Sequence, residues 1–153
     1  MRPANSLQGR AVPLCRLAAA WPGLWPLLAP ALGRSPDRPA TCGDGESWLL
    51  ARLAEHEAQL WAVYDGDRPV AAIVTTVQQS DRQRRCLLWL IGGHRARDWA
   101  DLVLALIGRW ARARGCTALW GSGRRGWARL VEPRGFRRIA DVQGQPAWER
   151  RMA

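Results

Sequence analysis

Few side chains in this sequence could exchange a proton or attack a substrate near neutral pH. The 153-residue chain has two histidines, one tyrosine and four cysteines, and no pair of cysteines has C-x-x-C spacing. Structural zinc sites need closely spaced cysteine and histidine ligands, so this spacing disfavours one. Cys86 and Cys116 lie in apolar runs and are predicted to be buried, reduced thiols. The cysteine pattern therefore favours a cytoplasmic fold without a disulfide framework.

The remaining candidate nucleophiles and acid–base groups have no activating residue nearby in the sequence. Cys116 and Ser122 flank a predicted strand, but no histidine–aspartate pair accompanies them to make either one a nucleophile. His94 follows another predicted strand and could titrate near neutral pH. Its surroundings are rich in arginine, which also suits a surface histidine. Tyr64 is predicted to lie in a strand or in the core.

The charge of the chain is strongly positive and unevenly distributed. All 23 basic residues are arginine, the formal net charge is +10, and fourteen of the arginines fall between residues 82 and 138 with three acidic residues. Such a field attracts nucleotide phosphates, nucleic acid or an acidic protein surface. A solvated arginine-rich surface explains the same pattern, and a GC-rich coding sequence would favour arginine. No helix-turn-helix or RNP motif accompanies the charge, so nucleic acid is not the predicted partner.

The N-terminal region has two interpretations. Three arginines precede an apolar stretch at residues 17–32, as in a secretory signal peptide. Three prolines interrupt that stretch, which favours a strand near residues 12–17 and a helix near residues 22–32 instead. Residues 1–11 are predicted to be a flexible N-terminus. No apolar run approaches the length of about 18 residues that a membrane-spanning helix needs, so no membrane association is predicted.

Hydrophobic periodicity predicts the order β-α-α-β-β-β-α-β-α-β-β in a single domain of residues 1–153, with a core over about 12–151. Asp65-Gly66 is typical of a two-residue hairpin turn. The elements predicted after the first two are a helix at 46–56, strands at 60–64, 70–77 and 86–91, a helix at 99–110, a strand at 116–120, a helix at 127–131, and strands at 136–142 and 147–150.

One junction stands out as a potential anion site. The strand at residues 86–91 is apolar throughout, which is typical of a strand buried on both faces. The helix after it has one broad apolar stripe that includes Trp99 and Ile107, and Asp98 is predicted to cap its start. This helix connects two strands that are predicted to be parallel. An anion would bind at residues 86–102, because free backbone N–H groups and the positive end of the helix dipole meet there.

The element order and three short motifs resemble the GNAT-fold N-acetyltransferases over residues 12–151, and most closely the small GNAT-like proteins of phages and prophages. Residues 110–116 (WARARGC) resemble the end of the family's central helix. Residues 123–127 (GRRGW) resemble a G-R-x-G-W segment of the phage group, and Gly135-Phe136 resembles the G-F after the last helix. The resemblance implies an α/β (α+β) fold, with about four helices flanking a twisted, mostly antiparallel sheet of about six or seven strands.

The family binds acetyl-CoA through an (R/Q)-x-x-G-x-(G/A) loop that opens the central helix. Counted back from the end of that helix, the loop falls on residues 95–100, where Arg95 matches the first position and Ala100 the last. Asp98 replaces the first glycine, and its carboxylate would repel phosphate and occupy the N–H groups that hold it. Arg95 and Arg97 could compensate in part. The cofactor-binding residues implied by the resemblance are Leu90, Ile91, Gly92, Gly93, Arg95, Arg97 and Ala100.

The catalytic groups that the family often uses are missing. Many members have a tyrosine four residues before the G-F pair, as the acid for the leaving thiolate, and Val131 stands at that position here. A carboxylate on the central strands often serves as the base, but residues 86–91 contain no aspartate, glutamate or histidine. No catalytic residue is therefore assigned from the sequence.

Two functions follow from the resemblance. The first is transfer of an acetyl group from acetyl-CoA to an amine on a small molecule or a protein in the cytoplasm. The amine would attack directly, backbone N–H groups at Leu90 and Ile91 would hold the carbonyl, and water would carry the proton. The second is a catalytically degenerate phage accessory or virion-associated protein that binds a phage or host protein, for which ten tryptophans offer anchors.

Overall fold

A computed structural model describes residues 6–152 of the chain. The predicted order of helices and strands is confirmed. The short helix before the last two strands is one α-helical turn between two 3₁₀ turns, Arg125–Trp127 and Glu132–Arg134. The elements are β1 (Leu7–Ala11), α1 (Leu14–Gly33), α2 (Glu46–Ala54), β2 (Gln59–Asp65), β3 (Arg68–Gln79), β4 (Arg84–Gly93), α3 (Ala96–Ala113), β5 (Ala118–Ser122), α4 (Ala128–Val131), β6 (Arg137–Val142) and β7 (Gln145–Arg151).

Within residues 6–152, seven strands form one sheet in the order β1-β2-β3-β4-β5-β7-β6. Neighbouring strands are antiparallel except β4 and β5, which are parallel and are joined through α3. The mixed, mostly antiparallel sheet with four helices is therefore confirmed. The predicted hairpin is confirmed, but its two-residue loop is Gly66-Asp67, one residue later than predicted, because Asp65 pairs with Arg68; Gly66 has a positive φ of 62°, as such turns require.

Helices cover both faces of the sheet. On one face, α3 buries Trp99 and Ile107 in a core that includes side chains of β2, β3 and β4. On the other face, α1 and α2 form a second core, in which Leu24 and Leu28 are 0 % exposed. The apolar stripe predicted on α3 therefore faces the core, except for Leu102, which is 40 % exposed.

The positions predicted for the first strand and the first helix are wrong. β1 covers Leu7–Ala11 and pairs with β2, so residues 7–11 of the predicted flexible N-terminus form a strand, while residues 1–5 lie outside the described residues. α1 begins at Leu14, not at residue 22, and includes most of the predicted strand. Its prolines are spaced by four and share one side of the helix, so they remove one row of hydrogen bonds without ending it. The apolar stretch that imitates a signal peptide is thus part of the core.

The start of β5 also differs from its prediction. The strand begins at Ala118, two residues later than expected, because the Cys116 N–H donates to the Ala111 carbonyl at the end of α3. Gly121 and Ser122, expected to break the strand, belong to it. Within the described part of the chain, no helix has both the length and the apolar character that crossing a membrane would require.

Candidate functional site

The centre of the sheet opens where its two parallel strands separate. β4 and β5 pair over three residues only, from Arg85 with Ala118 to Leu87 with Trp120. Both strands continue beyond this point, β4 to Gly93 and β5 to Ser122, without further pairing between them. The facing edges of the two strands therefore have backbone groups that the sheet ladder leaves unpaired.

A bulge in β4 contributes to this separation. Leu88 and Leu90 pair with consecutive residues of β3, so Trp89 has no partner in the ladder. Trp89 and Leu90 both pack toward the α1–α2 layer, whereas Leu88 and Ile91 both pack toward the α3 layer. An extra residue of this kind bends a strand and increases its twist. The bulge accordingly coincides with the point at which β4 leaves β5.

A cleft of about 390 Å³ lies at this opening and extends from the end of α1 on one face of the sheet to α4, which packs against the α3-side core, on the other. Its residues come from the end of α1 and the loop after it, from β4 and β5, from α4, and from the β6–β7 hairpin. Its lining residues are Ala31, Arg34, Ser35, Pro36, Asp37, Gln78, Leu87, Leu88, Trp89, Ile91, Trp120, Gly121, Ser122, Gly123, Arg124, Trp127, Val131, Phe136, Val142, Gln143, Gln145 and Trp148.

Aromatic side chains make up much of the cleft wall, and two of them are fixed by hydrogen bonds. The Trp89 indole N–H donates to Ser35 Oγ at 3.2 Å, which ties β4 to the loop after α1. The Trp120 indole N–H donates to Gln78 Oε1 at 3.0 Å. The buried indole N–H of Trp148 has no acceptor among the described residues. The cleft is thus largely apolar, with a few directed polar groups, as ligand sites usually are.

Three charged side chains line the cleft. Arg34 directly follows α1, Asp37 lies in the same loop, and Arg124 follows β5. Neither guanidinium group makes an ion pair within residues 6–152, and the Asp37 carboxylate makes none either. The lining contains no histidine, tyrosine, cysteine or glutamate. Val131, where the resembled family often has tyrosine, also lines the cleft and cannot donate a proton.

Among the strand residues assigned from the sequence to cofactor binding, Ile91 lines the cleft. Leu90 is 2 % exposed and packs against α1 and α2. Gly92 lies directly beneath α1, where an added Cβ would overlap the Leu27 carbonyl oxygen. Gly93 has a φ of 126°, and a Cβ there would overlap the Val70 carbonyl oxygen. Both glycines are thus required for the close approach of neighbouring backbone.

The predicted phosphate loop lies at the start of α3. The N-cap residue is Arg95, with a left-handed φ of 62°, and the prediction that Asp98 caps the helix is wrong. Arg95 donates instead to Asp98 Oδ2 at 3.0 Å and to Asp65 Oδ2 at 3.1 Å, and these contacts raise the pKa of the Arg95 guanidinium. Arg97 is exposed and makes no ion pair with the described residues, while Ala100 is 2 % exposed in the α3 core.

The predicted buried thiols are confirmed, and their environment makes them poor nucleophiles. Cys86 and Cys116 are buried. Burial, with a smaller contribution from neighbouring Cys116, raises the pKa of Cys86 to about 12, so its reactive thiolate is scarce near neutral pH. No group of three histidine, cysteine, aspartate or glutamate side chains suited to a metal ion occurs in residues 6–152.

Sequence reasoning missed most of the cleft. Arg34 and Asp37 come from the loop after α1, to which the sequence assigns no function, and Trp148 from a short terminal strand. No local pattern brings these positions together, since they are far apart in the chain. The signals that did lead to the cleft were Ile91, the G-R-x-G-W resemblance at residues 123–127 and the Gly135-Phe136 pair, each of which contributes lining residues.

No protein-family model and no curated protein matches the chain. Solved structures match it in fold. A variant of an agmatine N-acetyltransferase, in apo form, is 12% identical with a TM-score of 0.68, over 96% of this chain and 100% of that chain. The PaiA N-acetyltransferase from Thermoplasma acidophilum, in complex with coenzyme A, is 9% identical with a TM-score of 0.62, over 95% and 99%. An acetyltransferase of the GNAT family from Streptococcus pneumoniae is 14% identical with a TM-score of 0.63, over 95% and 99%. The chain therefore has the fold of the GNAT N-acetyltransferases.

Proposed function

We propose that this protein is an acyltransferase that moves an acetyl group from acetyl-CoA to an amine. The observation that carries the proposal is the cleft between β4 and β5, which opens to the end of α1 on one face of the sheet and to α4 on the other. A donor bound from the α3 side and an acceptor bound from the α1 side would meet between the two strands. Enzymes gain much of their rate from holding two reactants together in this way.

The chain offers suitable groups for the extended arm of the cofactor. Beyond Leu87, β4 has no β5 partner, so its free backbone groups can pair with an extended ligand as a neighbouring strand would. Acetyl-CoA supplies an acetyl group activated as a thioester. The N–H groups of Leu90 and Ile91 point to opposite edges of β4, and the one that faces β5 is the candidate for holding the thioester carbonyl and stabilising its developing negative charge.

The chain has fewer groups that could bind the cofactor phosphates than the family's (R/Q)-x-x-G-x-(G/A) loop provides. The first turn of α3 has backbone N–H groups without helical partners, which favour an anion. Arg97 and Arg124 add positive charge that no described carboxylate pairs with. Arg95 contributes less, because Asp98 and Asp65 already compensate its charge. The residues fit a CoA ligand, with weaker phosphate binding than the glycine-containing loop would provide.

No side chain in the cleft can serve as the acid that protonates the leaving CoA thiolate. The lining has no histidine or tyrosine, and Val131 occupies the position of the family's frequent tyrosine. We therefore assign the proton released by the amine and the proton taken up by the CoA thiolate to solvent. Catalysis would depend on the positioning of the two substrates and on hydrogen bonding from a backbone N–H group to the thioester carbonyl. We therefore expect a modest turnover rate.

A second candidate is a GNAT-fold protein that binds a phage or host protein without catalysis. Asp98 at the start of α3 and Val131 in the cleft favour it, since both replace groups that the family uses. This candidate requires no turnover and no affinity for CoA. It therefore makes the opposite prediction for the same experiment.

The test is a thermal-shift and calorimetric titration with acetyl-CoA, with ATP as the control, at low and raised salt. A ligand at 100 times its Kd stabilises a protein by about 2.7 kcal/mol, so a saturable shift specific to CoA is expected. Ser122→Trp, which fills the cleft from β5, should abolish the shift. Thr117→Trp, at the exposed residue directly before the same strand, should leave the shift intact. A shift that ATP reproduces and salt removes would contradict the proposal and favour the second candidate.

A further inference from the structure

The acceptor half of the cleft combines one cation and one anion in a single loop. Arg34 and Asp37 both come from the end of α1 and the residues after it, on the side of the sheet opposite α3. Both side chains are exposed, and neither forms an ion pair in the part of the chain that the structure describes. The two groups do not neutralise each other at bonding distance, so each remains able to bind a ligand.

An aromatic wall lies beside these two charges. Ser35, the residue after Arg34, accepts the hydrogen bond from the Trp89 indole at 3.2 Å, which holds the loop against the β4 bulge. Trp120 follows on the facing strand and is 6 % exposed. A ligand that contacts the charged loop would therefore place its remaining atoms against indole rings.

This arrangement discriminates between classes of amine. A polyamine carries several positive charges, which need several carboxylates, yet the lining offers one carboxylate, from Asp37, and two guanidinium groups. An amine that also carries a carboxylate matches the loop, because a guanidinium binds a carboxylate through paired hydrogen bonds and Asp37 attracts the ammonium. An apolar or aromatic side chain on the same molecule would then lose water on entering the cleft.

We propose that the acceptor is an α-amino acid with an apolar or aromatic side chain, whose carboxylate binds Arg34 and whose ammonium binds Asp37. The inference rests on the proposed acyltransferase function. In the reaction, the ammonium first loses a proton to solvent, and the amine nitrogen forms a bond to the acetyl carbon as the carbon–sulfur bond of the thioester breaks. The nitrogen then loses a second proton, the CoA thiolate gains one, and the products are an N-acetyl amino acid, free CoA and one released proton.

The test compares acceptors that differ only in the carboxylate. L-Tryptophan and tryptamine form one pair, L-phenylalanine and phenethylamine a second, and agmatine is the cationic comparison, each assayed with acetyl-CoA. We expect kcat/KM at least about tenfold higher for each amino acid than for its decarboxylated partner, the size of one charge-assisted hydrogen bond. Arg34→Gln should lower kcat/KM by a similar factor for the amino acids and leave the decarboxylated amines unchanged.

Arg16→Gln is the matched control, because Arg16 is an exposed arginine of α1, the helix that precedes Arg34, and does not line the cleft. It should leave the ratio between L-tryptophan and tryptamine unchanged. Equal kcat/KM for the two members of a pair, or an equal loss for both in Arg34→Gln, would overturn the inference. If acetyl-CoA binds but agmatine alone is acetylated, or if none of these amines is, the inference fails while the cofactor part of the proposed function stands. If acetyl-CoA does not bind, both fail.

Discussion

Asp98 and Arg95 determine the charge and the free N–H groups that the start of α3 presents to an anion. The Asp98 carboxylate accepts a hydrogen bond from Arg95 Nε at 3.0 Å and leaves the first-turn N–H groups of the helix free of any side-chain cap. The negative charge of Asp98 nevertheless lies within the first turn of α3. There it interacts favourably with the positive end of the helix dipole and would repel a bound phosphate. In the proposed CoA site, the carboxylate at this position would therefore weaken phosphate binding through its charge more than through blocked hydrogen bonds.

Asp98→Asn should strengthen CoA binding. The substitution removes the carboxylate charge and one of the two anionic partners of Arg95, which then becomes available to a phosphate. A charge at a helix terminus contributes about 0.3–1 kcal/mol, so the Kd measured by calorimetry should fall about two- to fivefold. Asp141→Asn is the control, because Asp141 forms the same i,i+3 pair with Arg138 on β6, away from α3. A Kd that rises in Asp98→Asn would show that the carboxylate supports the site.

The packing of α1 on β4 determines the position of the loop that forms one side of the cleft. Gly92 allows the α1 backbone at Leu27 to lie directly on β4. Six residues later α1 ends, and Arg34, the next residue, lines the cleft. The buried leucines of α1 hold the helix in this position from the side opposite its prolines. A displacement of α1 would therefore move the loop that contains Arg34 and Asp37.

Gly92→Ala should destabilise the protein markedly, because the new methyl group would overlap the Leu27 carbonyl oxygen and backbone must shift. Overpacking of this kind costs about 1–3 kcal/mol or more in the free energy of unfolding measured with urea. Gly108→Ala is the matched control. Gly108 lies in the interior of α3, where an added Cβ meets only Arg150 Nη2 at 3.9 Å, so the change should stabilise the protein by about 0.5–1 kcal/mol. Equal effects of the two substitutions would contradict the close approach of α1 to β4.

The charge of the whole molecule is the remaining large-scale feature. The formal net charge is +10, and several arginines are partly compensated by local contacts, such as Arg85 with Glu149 at 2.9 Å and Arg134 with Asp101 at 2.9 Å. Others stack on aromatic rings, as Arg114 does on Trp110. The arginines are distributed over strands, helices and loops, so the charge favours weak, general attraction of polyanions over a specific nucleic-acid site.

Binding of a mixed-sequence DNA duplex, measured by fluorescence anisotropy, should therefore be weak and strongly dependent on salt. Association driven by about six or more phosphate contacts loses about a thousandfold in affinity between 50 and 200 mM salt. Binding that keeps its low-salt affinity at 200 mM salt would indicate base contacts and would contradict this expectation.

The order of the elements could be predicted because each depends on local chemistry. Three signals each lie within a single turn, strand or helix of the sequence: the Asp65-Gly66 turn signal, the uniformly apolar run in β4, and the apolar stripe of α3. The start of α1 could not be predicted, because Pro22 is normally a helix terminator and only burial of the leucines against the sheet explains why the helix continues through it.

The sequence by itself determined the order of the elements, the parallel pair around α3, the burial of Cys86 and the excess of positive charge, since periodicity and composition suffice for these. The fold class came from the resemblance of its motifs to a known family. Tertiary structure decided the site. The bulge at Trp89, the separation of β4 from β5, and the meeting of Arg34 and Asp37 with the indole wall depend on packing between elements far apart in the chain. Such packing follows from how whole helices and strands fill space, and no local window of residues encodes it.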